Sequence, residues 1–143
     1  MSVRNHFFAL SLISLLVALP LHSKPQPLEP FEWKYRLILI RGAADGRSAI
    51  VNKFGERRAA IAERHILWFI VYEDSVETNY DGSLPDDFAA KIDQAGYWQD
   101  ADTVLLIGKD GGVKIRQTTL DLDVLFRRID SMPMRRAEMR RQK

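Results

Sequence analysis

WKYRLILI, residues 33–40, ends in an uninterrupted aliphatic run whose length suits a strand covered on both faces. RGAADG, residues 41–46, breaks it with two glycines. HILWFIVYED, residues 65–74, repeats the signal in β-branched and aromatic residues, so two central strands are expected with a helical segment between them. In that segment Ile50, Val51, Phe54 and Ile61 share one helical face. Gly55 marks a place where the helix can be interrupted, since a mid-helix glycine costs about 1 kcal/mol relative to alanine. Farther on, Ser83 is a candidate cap for a helix whose first turn holds Pro85, Asp86 and Asp87. Leu84, Phe88, Ile92 and Ala95 form its buried stripe, and Gly96 supplies a left-handed stop. TVLLIG (103–108) and VKIRQ (113–117) read as a hairpin through Lys109, Asp110, Gly111 and Gly112, with both glycines free to take positive φ and the alternating second strand at an edge. Leu122, Leu125, Phe126 and Ile129 recur at i, i+3, i+4 and i+7 and define a last amphipathic helix beginning near Thr119 or Asp121. The expected order is β-α-β-α-β-β-α, with the first two helices on opposite faces and Leu106 buried against Phe126.

The chain has 143 residues, 28% of them charged and 46% hydrophobic, a globular composition that excludes a disordered, collagen-like or multi-span membrane protein. It contains no cysteine, which removes disulfides, thiolate catalysis and thiolate metal sites together. Its 21 Lys+Arg against 19 Asp+Glu leave a formal +2, too balanced for a nucleic-acid footprint, and no nucleic-acid partner is expected. In residues 1–23 a short polar start with Arg4 precedes an apolar run from Phe7 to Leu21, interrupted by Ser11, Ser14 and Pro20. That run is shorter than the roughly 18–20 residues of a bilayer-spanning helix, so a signal peptide cleaved near Ser23 and a periplasmic or secreted location are expected. A retained leader is the alternative, and only then would the chain sit on a membrane. KPQPLEP, residues 24–30, reads as an extended proline-rich spacer, 31–131 as the folded domain and 132–143 as a basic tail. His6 and His22 leave with the leader, so His65 is the one histidine remaining and no multi-histidine metal site or cofactor is implied.

WKYRLILIRG, the LLIGKDGGVKIR hairpin and the ending LFRRIDSMPMRRAEMRR together resemble one family, the domain of unknown function 4174. That family occurs in exported bacterial proteins and in vertebrate extracellular matrix proteins with sushi repeats or coiled coils. The resemblance runs from about Phe31 to Arg141. It implies an α/β, thioredoxin-like fold distantly similar to peroxiredoxins, a central mixed sheet flanked by helices, in agreement with the element order above. It implies no settled activity. Thioredoxin-type enzymes place reactive cysteines in the loop after the first strand, where here Arg41, Gly42, Ala43, Ala44, Asp45 and Gly46 stand. Arg41, Asp45 and Arg47 form a candidate anion site at a helix N-terminus, the alternative being that Asp45 caps that helix. The proline that such proteins set before the third strand is replaced by Ala101, Asp102 and Thr103.

Other residue groups read as structural. Glu73 and Asp74 are adjacent at a strand end, so they point apart and are expected to be solvated loop carboxylates. His65 reads as a polar strand terminus, and Trp33, Trp68 and Trp98 as core or core-rim packing. The run MPMRRAEMRRQK sets five basic residues against Glu138 alone. Arg135, Arg136, Arg140 and Arg141 are therefore candidate partner-binding residues, facing a protein or an anionic envelope surface, with nearby methionines adding adaptable apolar contact. Alternatively they neutralise a helix end and pair with Glu138 and Asp130. No complete catalytic set assembles. The expected function is an exported, cysteine-less thioredoxin-like binding module, and the alternative is a redox accessory or carboxylate-dependent enzyme on a peroxiredoxin-like scaffold.

Overall fold

Leu37, Ile38, Leu39 and Ile40 are all buried because the strand that carries them lies in the middle of a sheet with helices on both faces. The computed structural model describes residues 24–43 and 46–142, so the leader and Asp45 lie outside the described residues. Its strands are β1 (Arg36–Arg41), β2 (Ile66–Val71), β3 (Val76–Thr78), β4 (Val104–Ile107) and β5 (Val113–Gln117), and they form one sheet ordered β3-β2-β1-β4-β5. β1 and β2 run parallel, from Arg36 opposite Ile66 to Arg41 opposite Val71. The other three pairings are antiparallel. The helices are α1 (Arg47–Glu56), α2 (Arg58–Glu63), α3 (Phe88–Ala95), α4 (Leu122–Asp130) and α5 (Pro133–Arg141).

Because successive strand residues point to opposite faces, the sheet divides its aliphatic residues between two cores. Ile38, Ile40, Trp68 and Leu106 meet Phe54 of α1, Ile61 of α2 and the Leu122, Leu125, Phe126 and Ile129 stripe of α4. Leu37, Leu39, Phe69 and Leu105 meet Phe88, Ala89 and Ile92 of α3 on the other face. The first two expected helical segments thus lie on opposite faces, and Leu106 and Phe126 share a core. This is a mixed α/β sheet flanked by helices, compatible with the thioredoxin-like arrangement.

Several local expectations change. The first helical segment breaks at Arg57, two residues after Gly55, where the backbone leaves helical geometry and α2 starts afresh. α3 begins at Phe88, so Ser83 does not cap it, and Leu84 and Ala95 are only half-buried while Ala89 is buried. Gly96 does stop α3, at φ 73°. In the hairpin only Gly111 takes positive φ, at 76°, because the Asp110 side chain accepts from the Gly112 N–H and sets the turn from the other side. β3 follows β2 through a tight connection in a stretch for which no strand was expected. The proline-rich segment is packed rather than extended, since Leu28 is 2% exposed and Glu29–Phe31 form a 3-10 helix under α3 that seats Phe31 against Phe69 and Phe88. Trp33 is not a core residue. It is 67% exposed, with φ 63°, and its N–H donates to the Lys109 carbonyl at 2.6 Å. Trp68 does pack, stacked on Phe54 at 4.8 Å.

Candidate functional site

Parallel pairing of β1 with β2 and antiparallel pairing of β1 with β4 bring the start of β1, the start of β2 and the end of β4 to one end of the sheet. Arg36, His65 and Lys109 stand there, and α5 delivers Glu138 to them. Arg36, 1% exposed, donates from Nη1 to Glu138 Oε2 at 3.1 Å and from Nη2 to Oε1 at 3.3 Å, a two-pronged grip that suits a planar guanidinium. Its Nη1 also donates to the Arg64 carbonyl at 2.8 Å, while its Nε is buried without a hydrogen-bond partner. Lys109 Nζ donates to Glu138 Oε1 at 2.8 Å. Burial opposes ionisation of Glu138 most strongly, but hydrogen bonds and charge from Lys109 and Arg36 together outweigh it and hold the carboxyl below its ordinary value.

His65 sits beside this pair at φ 51°. Its Nδ1 accepts from Lys109 Nζ at 3.0 Å, which requires that nitrogen to be unprotonated. Burial first, and then the positive charge of Lys109, push its pKa down. The sequence reading of His65 as a plain strand terminus missed this contact. Arg135 extends the cluster on the other side. It is fully buried, donating to the Glu63 carbonyl at 2.9 Å, to the Glu63 carboxylate and to Asp130 Oδ1 at 3.4 Å, with Glu138 Oε2 at 3.9 Å. Arg64 shares Asp130 at 2.7 Å and lies over the Phe126 ring.

The four candidate arginines of the terminal run are therefore not equivalent. Arg135 is a structural ion-pair partner, buried where a surface residue was expected, because the helical spacing of α5 turns it and Glu138, three residues apart, toward the fold. Arg136, Arg140 and Arg141 are exposed. The terminal run is a helix fastened to the domain rather than a free tail.

Beside the cluster, a cavity of about 300 Å³ opens between the β4–β5 hairpin and the α4–α5 corner. Lys109, Lys114 and Arg128 line it together with Met132, Pro133 and Met134.

The candidate anion site at the opposite end of β1 is less coherent. Arg41 lies 4.9 Å over the Trp98 ring, whereas Arg47 hydrogen-bonds Glu77 at 2.7 Å and lies 5.5 Å over Tyr72. The two thus engage different partners. The cap position of α1 is taken by Gly46, at φ 107°, with no side-chain cap bond. Gly42 passes so close to Tyr72 that a Cβ there would lie 2.5 Å from the ring. At Asp102, in the segment before β4, burial opposes ionisation, yet the Gln99 N–H and the Arg116 guanidinium hold the carboxyl below its ordinary value. Glu73 and Asp74 are exposed, as loop carboxylates should be. Among the described residues no three histidine, aspartate or glutamate side chains gather as a metal-ligating group. None of their helices is long and apolar enough to cross a membrane.

An α/β domain without cysteine, closed at one sheet end by a buried Arg–Lys–Glu cluster, is what these elements define. Arg36, Lys109 and Glu138 come from three separate stretches of sequence that meet only here. The family described as a domain of unknown function (DUF4174) matches residues 27–138, from the residue before buried Leu28 to Glu138 itself, and the chain belongs to that family. Comparison with curated proteins and with solved structures gives no match.

Proposed function

We propose that this chain is an exported, non-catalytic binding module of the bacterial periplasm or envelope, and that it engages an anionic partner through the outer face of α5. The observation that carries the reading is the division within that helix. Arg135 and Glu138 turn inward and are ion-paired with residues at the start of β1, at the end of α2, after β4 and at the end of α4, while Arg136, Arg140 and Arg141 face solvent. Among the described residues none of those three has an ion-pair partner. A rigidly held cationic face presents its charge without first ordering a flexible tail, which lowers the entropic cost of association.

Mild crosslinking of the exported protein in its native envelope tests this. The parent should give a crosslinked complex whose yield falls when salt is added before the crosslinker, as screening shortens from about 10 Å at 0.1 M to about 3 Å at 1 M. The Arg136→Gln, Arg140→Gln, Arg141→Gln triple variant should not. A triple variant that crosslinks as the parent does, or peroxidase or dithiol turnover by the purified chain, overturns the reading. Intact mass of the envelope protein tests export. A mass lacking residues 1–23 supports it, and a full-length mass in washed membranes replaces it with an anchored form.

A further inference from the structure

We infer that the groove between the β4–β5 hairpin and the α4–α5 corner binds an acidic peptide segment that inserts one apolar side chain. This rests on the binding-module reading and gives it a place and a partner chemistry. Charge is the first argument. The groove wall includes Arg36, Lys109, Lys114 and Arg128; Glu138 pairs with Arg36 and Lys109 and Asp110 with Lys114 at 2.7 Å, so four cations meet two acids and Arg128 has no ion-pair partner among the described residues. A larger cavity of about 780 Å³, between α1 and the β5–α4 connection, sets Lys53, Arg57 and Arg116 against Glu56, Asp121 and Asp123, so its charges cancel. Of these two cavities the smaller carries the net positive charge.

Backbone geometry points the same way. α5 starts at this groove with Pro133, which has no N–H, and its N-cap Met132 makes no side-chain cap bond. The helix's positive end therefore faces the groove uncapped by any side chain. Arg36, buried in the same wall, gives both terminal nitrogens to Glu138, while its Nε has no partner. A carboxylate on the bound segment complements Arg128 and the start of α5.

The apolar part of the surface decides between a peptide and a lipid. Met134, 43% exposed, and Trp33 are the exposed large hydrophobic residues of the described chain, and both flank the hairpin. Met134 and the exposed Arg128 line the concavity, and methionine and arginine are enriched at interface centres. A cavity of about 300 Å³ stands at the lower limit of ligand pockets, enough for an apolar side chain. Its walls are concave, which a projecting side chain can fill and a flat bilayer face cannot.

The experiment titrates the full-length chain at low salt with a labelled, acetylated peptide of glutamates around one central leucine, and with the same peptide carrying serine there. The leucine peptide should bind about ten-fold tighter or more, the value of burying one aliphatic side chain. Met134→Asp should erase that preference, and Arg128→Glu should weaken both peptides about ten-fold, each variant melting as the parent does. If Met134→Asp melts early, Lys114→Glu together with Arg128→Glu carries the test instead. Equal affinity for the two peptides overturns the groove, and so does unchanged binding by Arg128→Glu. Binding of phosphatidylglycerol vesicles that Arg128→Glu abolishes, with no peptide binding, makes the site a lipid site and also overturns it. The triple arginine variant should retain the leucine preference, so loss of crosslinking there concerns the α5 face alone.

Discussion

Glu138 is the one described carboxylate within ion-pair reach of Arg36 or Lys109, both of which are buried. Removing it strands two cations in a poorly solvated place. Breaking a buried pair by deleting one partner costs about 3–5 kcal/mol, so Glu138→Ala should shift the urea midpoint strongly, and Glu138→Gln less, because an amide still accepts a hydrogen bond. A midpoint unchanged in Glu138→Ala would mean that water already compensates these cations. The same groups set the acid response. His65 has a lowered folded pKa, so below its unfolded value of about 6.5 the unfolded chain binds more protons and stability falls with pH. Glu138 acts in the same direction, its contribution being complete above the unfolded carboxylate value of about 4.3 and lost as pH falls through the lowered folded value. Stability should therefore decline in two stages on acidification. His65→Gln should remove the first stage and leave the second, which unfolding curves taken between about pH 7 and pH 3 will read directly.

At the scale of elements, β4 and α4 meet through Leu106 and Phe126 in one core. Leu106→Asp places an unpaired carboxylate at a fully buried position and should abolish the cooperative melt of a domain whose total stability is of order 5–15 kcal/mol. A melt like the parent's would put Leu106 somewhere other than this interface. This pairing was legible in advance because the stripe of α4 permits one buried face while the uninterrupted aliphatic run of β4 needs cover on both of its faces, and Asp121 fixes where the stripe starts by accepting from the Val124 N–H. β3 was not legible. Its three residues are all half-buried and carry no run or alternation, and the strand exists because an edge of β2 was open to it. Asn79, just beyond it, continues the ladder with its side chain, accepting from the Trp68 N–H and donating to the Ile66 carbonyl. Nor could the sequence show that Leu28 is core, since its burial depends on Phe31, Phe69 and Phe88 coming together from three distant segments. The ion cluster was half legible. Glu138 stood out as the single acid in a basic run, and pairing of the terminal arginines with Glu138 and Asp130 was one of two readings, but Arg36 and Lys109 look like strand-flanking surface cations until the topology brings them together.

Across the whole molecule, α5 is the element that ties the ends of α2, β4 and α4 to the start of β1, because Arg135 reaches Glu63 and Asp130 while Glu138 reaches Lys109 and Arg36. The helix itself contributes little apolar area to either core; Met132, at its cap, packs only partly against one of them. Its attachment is chiefly electrostatic, through Arg135 and Glu138, which are themselves held away from bulk water. Two sets of arginine changes on one helix should therefore behave oppositely. Arg135→Ala opens a cavity at a fully buried position and removes the donor to the Glu63 carbonyl, while Glu63 is half exposed and Asp130 keeps Arg64, so a loss of about 2–3 kcal/mol and a melting temperature lower by about ten degrees are expected. Arg136→Gln, Arg140→Gln and Arg141→Gln together change only solvated groups, for which about 0.5 kcal/mol or less per site is normal, and the melt should stay near that of the parent. Added salt sharpens the contrast, because screening acts on the exposed set and hardly reaches the buried one. If Arg135→Ala melted like the parent, α5 would be a peripheral appendage, and its exposed face could not be held in a fixed relation to the groove beside it. If the triple variant melted far below the parent, those three arginines would belong to the fold, and the partner contact would have to lie in the groove alone.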